Sequence, residues 1–308
     1  MIILVTGSAG MLGTDLCKLL AESGYFFKGT DIKEPNEQIL PADAYIQADI
    51  TDKKKIESVL GQVRPDIVIH AAAYTAVDAC EVNKELAFKI NESGVVNVAK
   101  VAKKVNAAVI YISTDYVFDG KKTSAYEVTD KVNPLSIYGK SKLAGEEAVK
   151  NILGNNYIIA RTSWLYGKYG PNFVDKIISK ARNGEKLNIV DDQIGSPTST
   201  IDLAQGLIEI CKCFEKNKIN ENLRGVYHLT NADTCSWYDY TLEILKYAGI
   251  ETQVQAISTD ELKEIYSKAD RRYAPRPAFS VLNNQRFNEL TQKPLKTWRE
   301  ALRHYLNQ

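Results

Sequence analysis

The stretch SIYGKSKLAGEEAVK, residues 136–150, sets Tyr138 four residues before Lys142. In a helix such residues share one face, a turn apart. A free phenol with a pKa near ~10 is a poor proton donor at neutral pH, and a cation within about 4–6 Å lowers that value toward the working range. The pair would then suit proton transfer to a developing alkoxide. A solvated helix surface would carry the same two residues, so the spacing alone leaves both readings open.

A second constellation lies at the N-terminus. The run IILVT (2–6) leads into Gly7-Ser8-Ala9-Gly10-Met11-Leu12-Gly13 and then a helical pattern. Gly7 permits a tight turn, Gly10 lets backbone N–H groups approach a pyrophosphate, and Gly13 lets the helix pack close to the strand. Strand, glycine loop and helix in that order are the context that a dinucleotide site needs. Asp31, at the end of the next apolar run, can accept from the adenosine ribose hydroxyls and repel a 2′-phosphate, which leans to NADH; Lys28 and Lys33 nearby could instead accommodate NADPH. Asp31 would also suit the start of a turn. Asp49 and Ile50 follow the third run and reach the adenine side, although Asp49 equally suits the turn before a helix. Ala71, Ala72 and Ala73 end the fourth run, where small side chains leave room for the nicotinamide ribose or for close helix packing.

These residues need a frame. Apolar runs at 2–6, 26–30, 44–48, 66–72, 108–113 and 157–161 alternate with helical segments at 11–23, 52–62, 84–105 and 136–153. Short continuous apolar runs suit strands buried on both faces, and alternation implies a parallel sheet with right-handed crossovers. The expected class is α/β, a Rossmann-type doubly wound sheet over residues 1–163. Residues 164–308, richer in Gly, Pro and Asn loops, predict a smaller, discontinuous α+β substrate lobe. Its helices are expected at 200–215, 236–248, 259–268, 283–290 and 297–306, and its short strands near 187–190, 226–229 and 253–257. The stretch around 187–215 is expected to return to the first unit. Ligands of such sheets bind at the C-terminal strand ends, which sets Thr114 on the rim beside the start of the Tyr138 helix. A hydroxyl, a phenol and an ammonium opposite a nicotinamide form an arrangement for reducing a ketone.

Composition narrows the rest. Hydrophobic residues make up 44% and charged residues 25%, with a net charge of +1. That balance gives no reason to expect nucleic acid or a membrane as partner, and no apolar run approaches a membrane span. Five cysteines without a C-x-x-C pair fit reduced thiols in a cytoplasm. Three distant histidines show no metal-ligand spacing, and no metal site is predicted.

The pieces VTGSAGMLG, HAAAYTAVDACE, STDYVFDG, YGKSKLAGE, RTSWLYG, DDQIGSPT and RPAFS together resemble the extended short-chain dehydrogenase/reductase family, in particular its dTDP-4-dehydrorhamnose reductases. The resemblance runs nearly end to end. It implies NAD(P)H-dependent reduction of the 4-keto group of dTDP-4-dehydro-L-rhamnose, the step that yields dTDP-L-rhamnose. It implies catalysis by Thr114, Tyr138 and Lys142, with Thr114 where many relatives have Ser. Coenzyme contacts would fall on Gly10, Met11, Leu12, Asp31, Asp49, Ile50, Ala71, Ala72, Ala73 and Tyr74, and substrate contacts on Thr114, Asp115 and Trp164. Related dehydratases follow the Thr with Asp-Glu; here Asp115 is followed by Tyr116, which cannot serve as their carboxylate base. A 4-epimerase would use the same Tyr and Lys, and a non-catalytic coenzyme-binding subunit like the regulatory subunit of methionine adenosyltransferase is a further alternative. The Trp164 indole could pack on the deoxysugar or simply fill the core, and Arg276 could pair with the substrate pyrophosphate or stand as a solvated loop cation. Some relatives hold Mg²⁺ through carboxylates at a dimer contact. Asp15 lies in that region, but it reads better as a helix carboxylate, and Mg²⁺ is not supported. A monomer or homodimer is expected.

Overall fold

The computed structural model describes residues 1–217 and 223–307. Seven strands form the central sheet: β1 (Ile2–Thr6), β2 (Phe26–Asp31), β3 (Tyr45–Gln47), β4 (Ile67–His70), β5 (Ala108–Thr114), β6 (Tyr157–Thr162) and, far along the chain, Gly225–His228. All pairings are parallel, in the order Gly225–His228, β6, β5, β4, β1, β2, β3. The chain winds outward from β1 to β3, then crosses back and winds outward from β4. The reversal opens a crevice at the carboxyl ends of β1 and β4, where an open α/β sheet binds its ligand.

Strand periodicity decides the two faces. Ile3, Val5, Ile67, Ile69 and Ile110 point to one core, shared with α1 (Met11–Glu22). Leu4, Val68, Val109 and Tyr111 point to the other, shared with α2 (Lys53–Val63), a later helix at Val95–Lys104 and the helix carrying Tyr138. Between them, α3 (Val77–Val82) and α4 (Lys84–Phe88) follow β4. The single helix expected over 84–105 is instead α4, a π-turn at Lys89–Gly94 and α5 (Val95–Lys104). Helix α6 (Ile137–Leu153) begins at Ser136, whose hydroxyl accepts from the Gly139 N–H at 3.1 Å.

The second lobe starts with β7 (Leu165–Tyr166) and α7 (Phe173–Arg182), a helix absent from the sequence expectation. Its N-cap is Asn172, in a Gly- and Pro-rich stretch that reads as loop. Then come β8 (Leu187–Val190), β9 (Ile194–Gly195), β10 (Thr198–Ser199) and α8 (Thr200–Asn217). The strand Gly225–His228 is β11, followed by β12 (Cys235–Ser236), α9 (Trp237–Ala248), β13 (Val254–Ile257), α10 (Thr259–Lys268), α11 (Gln285–Thr291) and α12 (Trp298–Leu306).

Two placements differ from expectation. Strand β11, counted with the second lobe, extends the main sheet beside β6. The 187–215 stretch divides: β8 pairs with β13 in the second lobe, while Leu203, Leu207 and Ile210 of α8 join the sheet core. Helices α7, α9 and α12 enclose a separate aromatic-rich core around Tyr240 and Trp298.

Candidate active site

The glycine turn is closed to side chains. Gly7 has φ +71°, and a Cβ there would lie 2.6 Å from the Ala72 nitrogen of β4's exit. A Cβ on Gly13 would lie 2.0 Å from the Gly7 carbonyl oxygen. Strand, turn and α1 therefore sit closer than any alanine would allow, and the first-turn N–H groups of α1 face the crevice with no carbonyl ahead of them to bond. Such a cradle fits a pyrophosphate.

Two contiguous cavities, of about 430 and 550 Å³, share Gly7, Gly10, Met11, Ala71 and Ala73 as walls. The larger adds Asp31, Asp49, Ile50, Ala72 and Tyr74. The smaller adds Leu12 and Gly13, then Thr114, Asp115, Tyr138, Lys142 and Trp164. Of the residues singled out from sequence, Arg276, Lys28 and Asp15 line neither.

In the larger cavity, Asp31 accepts from the backbone N–H groups of Ala9 and Lys33, each at 3.1 Å. The carboxylate is thus fixed at the mouth of the glycine turn with lone pairs left over. Lys33 lines this cavity, whereas Lys28 turns away to the Asp43 carbonyl. Asp49 accepts from the Thr51 N–H at 2.8 Å, so it makes its turn and lines the cavity as well. The π-turn matters here. Its Asn91 accepts from the Tyr74 N–H at 2.8 Å and donates to the Tyr74 carbonyl and to the Ser141 hydroxyl, both at 3.0 Å. One buried amide joins the post-β4 loop to α6.

At the other end, Lys142 is buried, its Nζ donating to the Ile112 carbonyl at 2.7 Å and lying 4.2 Å from the centre of the Tyr111 ring. Burial lowers its pKa to about 7, opposed by the nearby Glu146 carboxylate. The Tyr138 phenol is shifted upward by burial, and a hydrogen bond with Thr114 opposes that shift. This corrects the sequence argument, in which Lys142 lowers the phenol pKa: the ammonium is turned to Ile112, and desolvation dominates. Thr114 donates to Asp115 Oδ1 at 3.0 Å, and burial raises the Asp115 carboxyl to about 6.

Trp164 has φ +48°, an uncommon conformation for a bulky residue. Its indole stacks on Trp237, centroids 3.6 Å apart and planes within 7°, and both line the smaller cavity. A Cβ on Gly195 would meet the Trp164 ring at 2.5 Å. Trp237 was not foreseen, because its position depends on β12 pairing with β9. Arg276 is held elsewhere: its guanidinium donates to both Asp78 oxygens, at 2.9 and 3.0 Å, over the Tyr273 ring. The Asp78 carboxylate on α3 satisfies the geometry that a substrate phosphate was expected to fill. Asp15 is buried and accepts from the Thr200 hydroxyl at 2.5 Å; burial raises its pKa above that of a solvated carboxylate, and this hydrogen bond opposes the shift. No group of three or more His, Cys, Asp or Glu gathers among the described residues.

A family model described as RmlD substrate binding domain matches residues 1–308. The chain belongs to this family. It is 38% identical over 306 residues to the spore coat polysaccharide biosynthesis protein SpsK of Bacillus subtilis, covering 99% of this chain and 97% of that one. The crystal structure of a dTDP-4-dehydrorhamnose reductase from Clostridium acetobutylicum superposes with a TM-score of 0.85 at 39% identity, covering 100% of this chain and 99% of the other. That of a dTDP-4-dehydrorhamnose reductase from Bacillus anthracis, solved in complex with NADP, gives 0.85 at 35% identity, covering 99% and 98%. The NADP complex of that relative agrees with a nicotinamide coenzyme. No helix among the described residues is long and apolar enough to cross a membrane.

Proposed function

We propose that this chain is an NAD(P)H-dependent sugar-nucleotide ketoreductase that reduces the 4-keto group of dTDP-4-dehydro-L-rhamnose. The carrying observation is the meeting of Thr114, Tyr138 and Lys142 on one cavity that runs without a break into the glycine cradle. The RmlD relatives, two of them named as this reductase, supply the substrate class.

When bound, the coenzyme supplies a hydride to the carbonyl carbon. The chain supplies the proton. Tyr138 donates its phenolic hydrogen to the carbonyl oxygen and is left as phenolate. An upward-shifted phenol stays protonated until that moment, and the Lys142 ammonium, once turned from Ile112 toward a ribose hydroxyl and the phenolate, stabilises the charge that develops. Thr114 orients the oxygen. The stacked indoles of Trp164 and Trp237 offer an apolar wall to a deoxysugar. Arg276 braces α3 through Asp78, beside the cavity residue Val77. On coenzyme choice, Asp31 favours NADH and Lys33 makes NADPH acceptable.

Tyr138→Phe tests the assignment. Turnover should fall by roughly 10²–10⁴-fold while coenzyme affinity changes little. Turnover close to that of the parent chain would remove Tyr138 from the reaction. Interconversion of two sugar nucleotides without net coenzyme consumption would identify an epimerase instead.

A further inference from the structure

Behind the catalytic trio lies a buried charge pair for which the reaction as described has no use. Glu146 follows Lys142 by four residues on α6 and is fully buried. Its Oε1 accepts from the Ser113 hydroxyl at 2.6 Å and from Arg161 Nε at 2.8 Å, and its Oε2 accepts from Arg161 Nη2 at 2.7 Å. Lys150 reaches Oε2 at 3.9 Å from the same helix. Ser113 and Arg161 face each other across β5 and β6. One carboxylate thus ties two strand ends to the helix that carries Tyr138 and Lys142.

Holding the fold does not require these charges. A buried ion pair is commonly no more stabilising than apolar residues of similar volume, and here Arg161 Nη1 is buried without a hydrogen-bond partner. What the pair offers is a negative charge one helical turn from a buried ammonium. The other groups facing Lys142 are Tyr111 on β5, His70 on β4 and Tyr138 on its own helix. Burial keeps the two phenols protonated and lowers the His70 imidazole to about 3, so all three are neutral at pH 7. Glu146 is the counter-charge.

We propose that Glu146 is the positioning residue of this site: clamped by Ser113 and Arg161, it keeps the buried Lys142 in its ammonium form and sets the height of α6 against Thr114. The inference rests on the coenzyme-binding reading above, in which that ammonium holds a ribose hydroxyl.

The test measures NADH and NADPH dissociation constants by fluorescence from pH 6 to 10, with folding checked by circular dichroism. In the parent chain affinity should weaken as Lys142 loses its proton, and Lys142→Met should abolish that inflection. Glu146→Gln with Arg161→Gln, which leaves neither member of that pair charged and alone, should move the inflection lower by on the order of half a pH unit to one unit. Ser113→Ala keeps both charges, so its inflection should stay in place while kcat falls several-fold. An inflection in the folded double variant that coincides with the parent's overturns the proposal, as does a Ser113→Ala kcat equal to the parent's. A chain that binds coenzyme yet reduces no keto-sugar nucleotide would instead refute the reaction and leave the inflection readable.

Discussion

The hydroxyl of Thr114 donates to the carboxylate of its neighbour Asp115, at 3.0 Å, while its oxygen accepts from the Tyr116 N–H at 3.2 Å. A substrate carbonyl must therefore compete with Asp115 for that hydrogen. Burial raises the Asp115 carboxyl to about 6, so the competition weakens as the pH falls through that value and the acceptor loses its charge. We expect kcat/KM to rise from pH 8 toward 6, and Asp115→Asn to remove the part of the rise that protonation of Lys142 does not supply. A profile identical in the variant would separate Asp115 from the reaction.

The same shift bears on stability. The folded pKa lies above the usual carboxylate value of 3.8. The native state therefore holds the proton more tightly than the unfolded chain, and the penalty for the buried anion is full above about pH 6 and gone below 3.8. Removing a shift of this size stabilises by about 3 kcal/mol at ~1.4 kcal/mol per unit. Asp115→Asn should gain that much by urea denaturation at pH 8 and almost nothing at pH 4. An equal gain at both would mean that the anion is not its source.

Gly195 sits under the Trp164 ring with no space for a methyl group. Gly195→Ala should displace the indole, raise the substrate KM about tenfold with kcat nearly kept, and cost roughly 1–3 kcal/mol of stability through overpacking. The stacked Trp164–Trp237 pair should also change its fluorescence. An unaltered KM would exclude the indole wall from substrate binding.

Asp31 is anchored by Ala9 and Lys33 on the wall of the larger cavity, where the proposed function puts the adenosine. Asp31→Ser should shift the ratio of kcat/KM for NADPH over NADH upward by about tenfold, a difference near 1.4 kcal/mol. No change in that ratio would place the discriminating group elsewhere.

Glu146→Ala should be among the most destabilising substitutions in the chain. It leaves Arg161 charged, buried and unpaired, at a cost of about 3–5 kcal/mol. Thermal unfolding would check this directly, and a loss below 1 kcal/mol would show that water reaches Arg161.

Most of the sheet could be read from the amino-acid order, because β1, β4, β5 and β6 are buried on both faces and so appear as uninterrupted apolar runs. Helix α6 was readable from its face spacing, and the glycine cradle from its place between strand and helix. Long-range partnerships were not. Nothing in GVYH says that β11 will join β6. Trp237 reads as a helix start until β12 meets β9, and Arg276 reads as a free cation until Asp78 takes it. Glu146 looks like one more polar helix residue until Arg161 is brought beneath it. Asn172 was a start signal for α7 that its loop-like surroundings obscured.

The π-turn at Lys89–Gly94 holds one residue more than a regular helix would over the same rise. Excising a single residue there would let α4 and α5 fuse into a continuous rod, at about 100° of rotation per residue lost. Asn91 would swing off Tyr74 and Ser141, and the loop after β4 and α6 would lose their shared clasp. The length of this segment, as much as the identity of its side chains, therefore sets where the Asn91 amide falls.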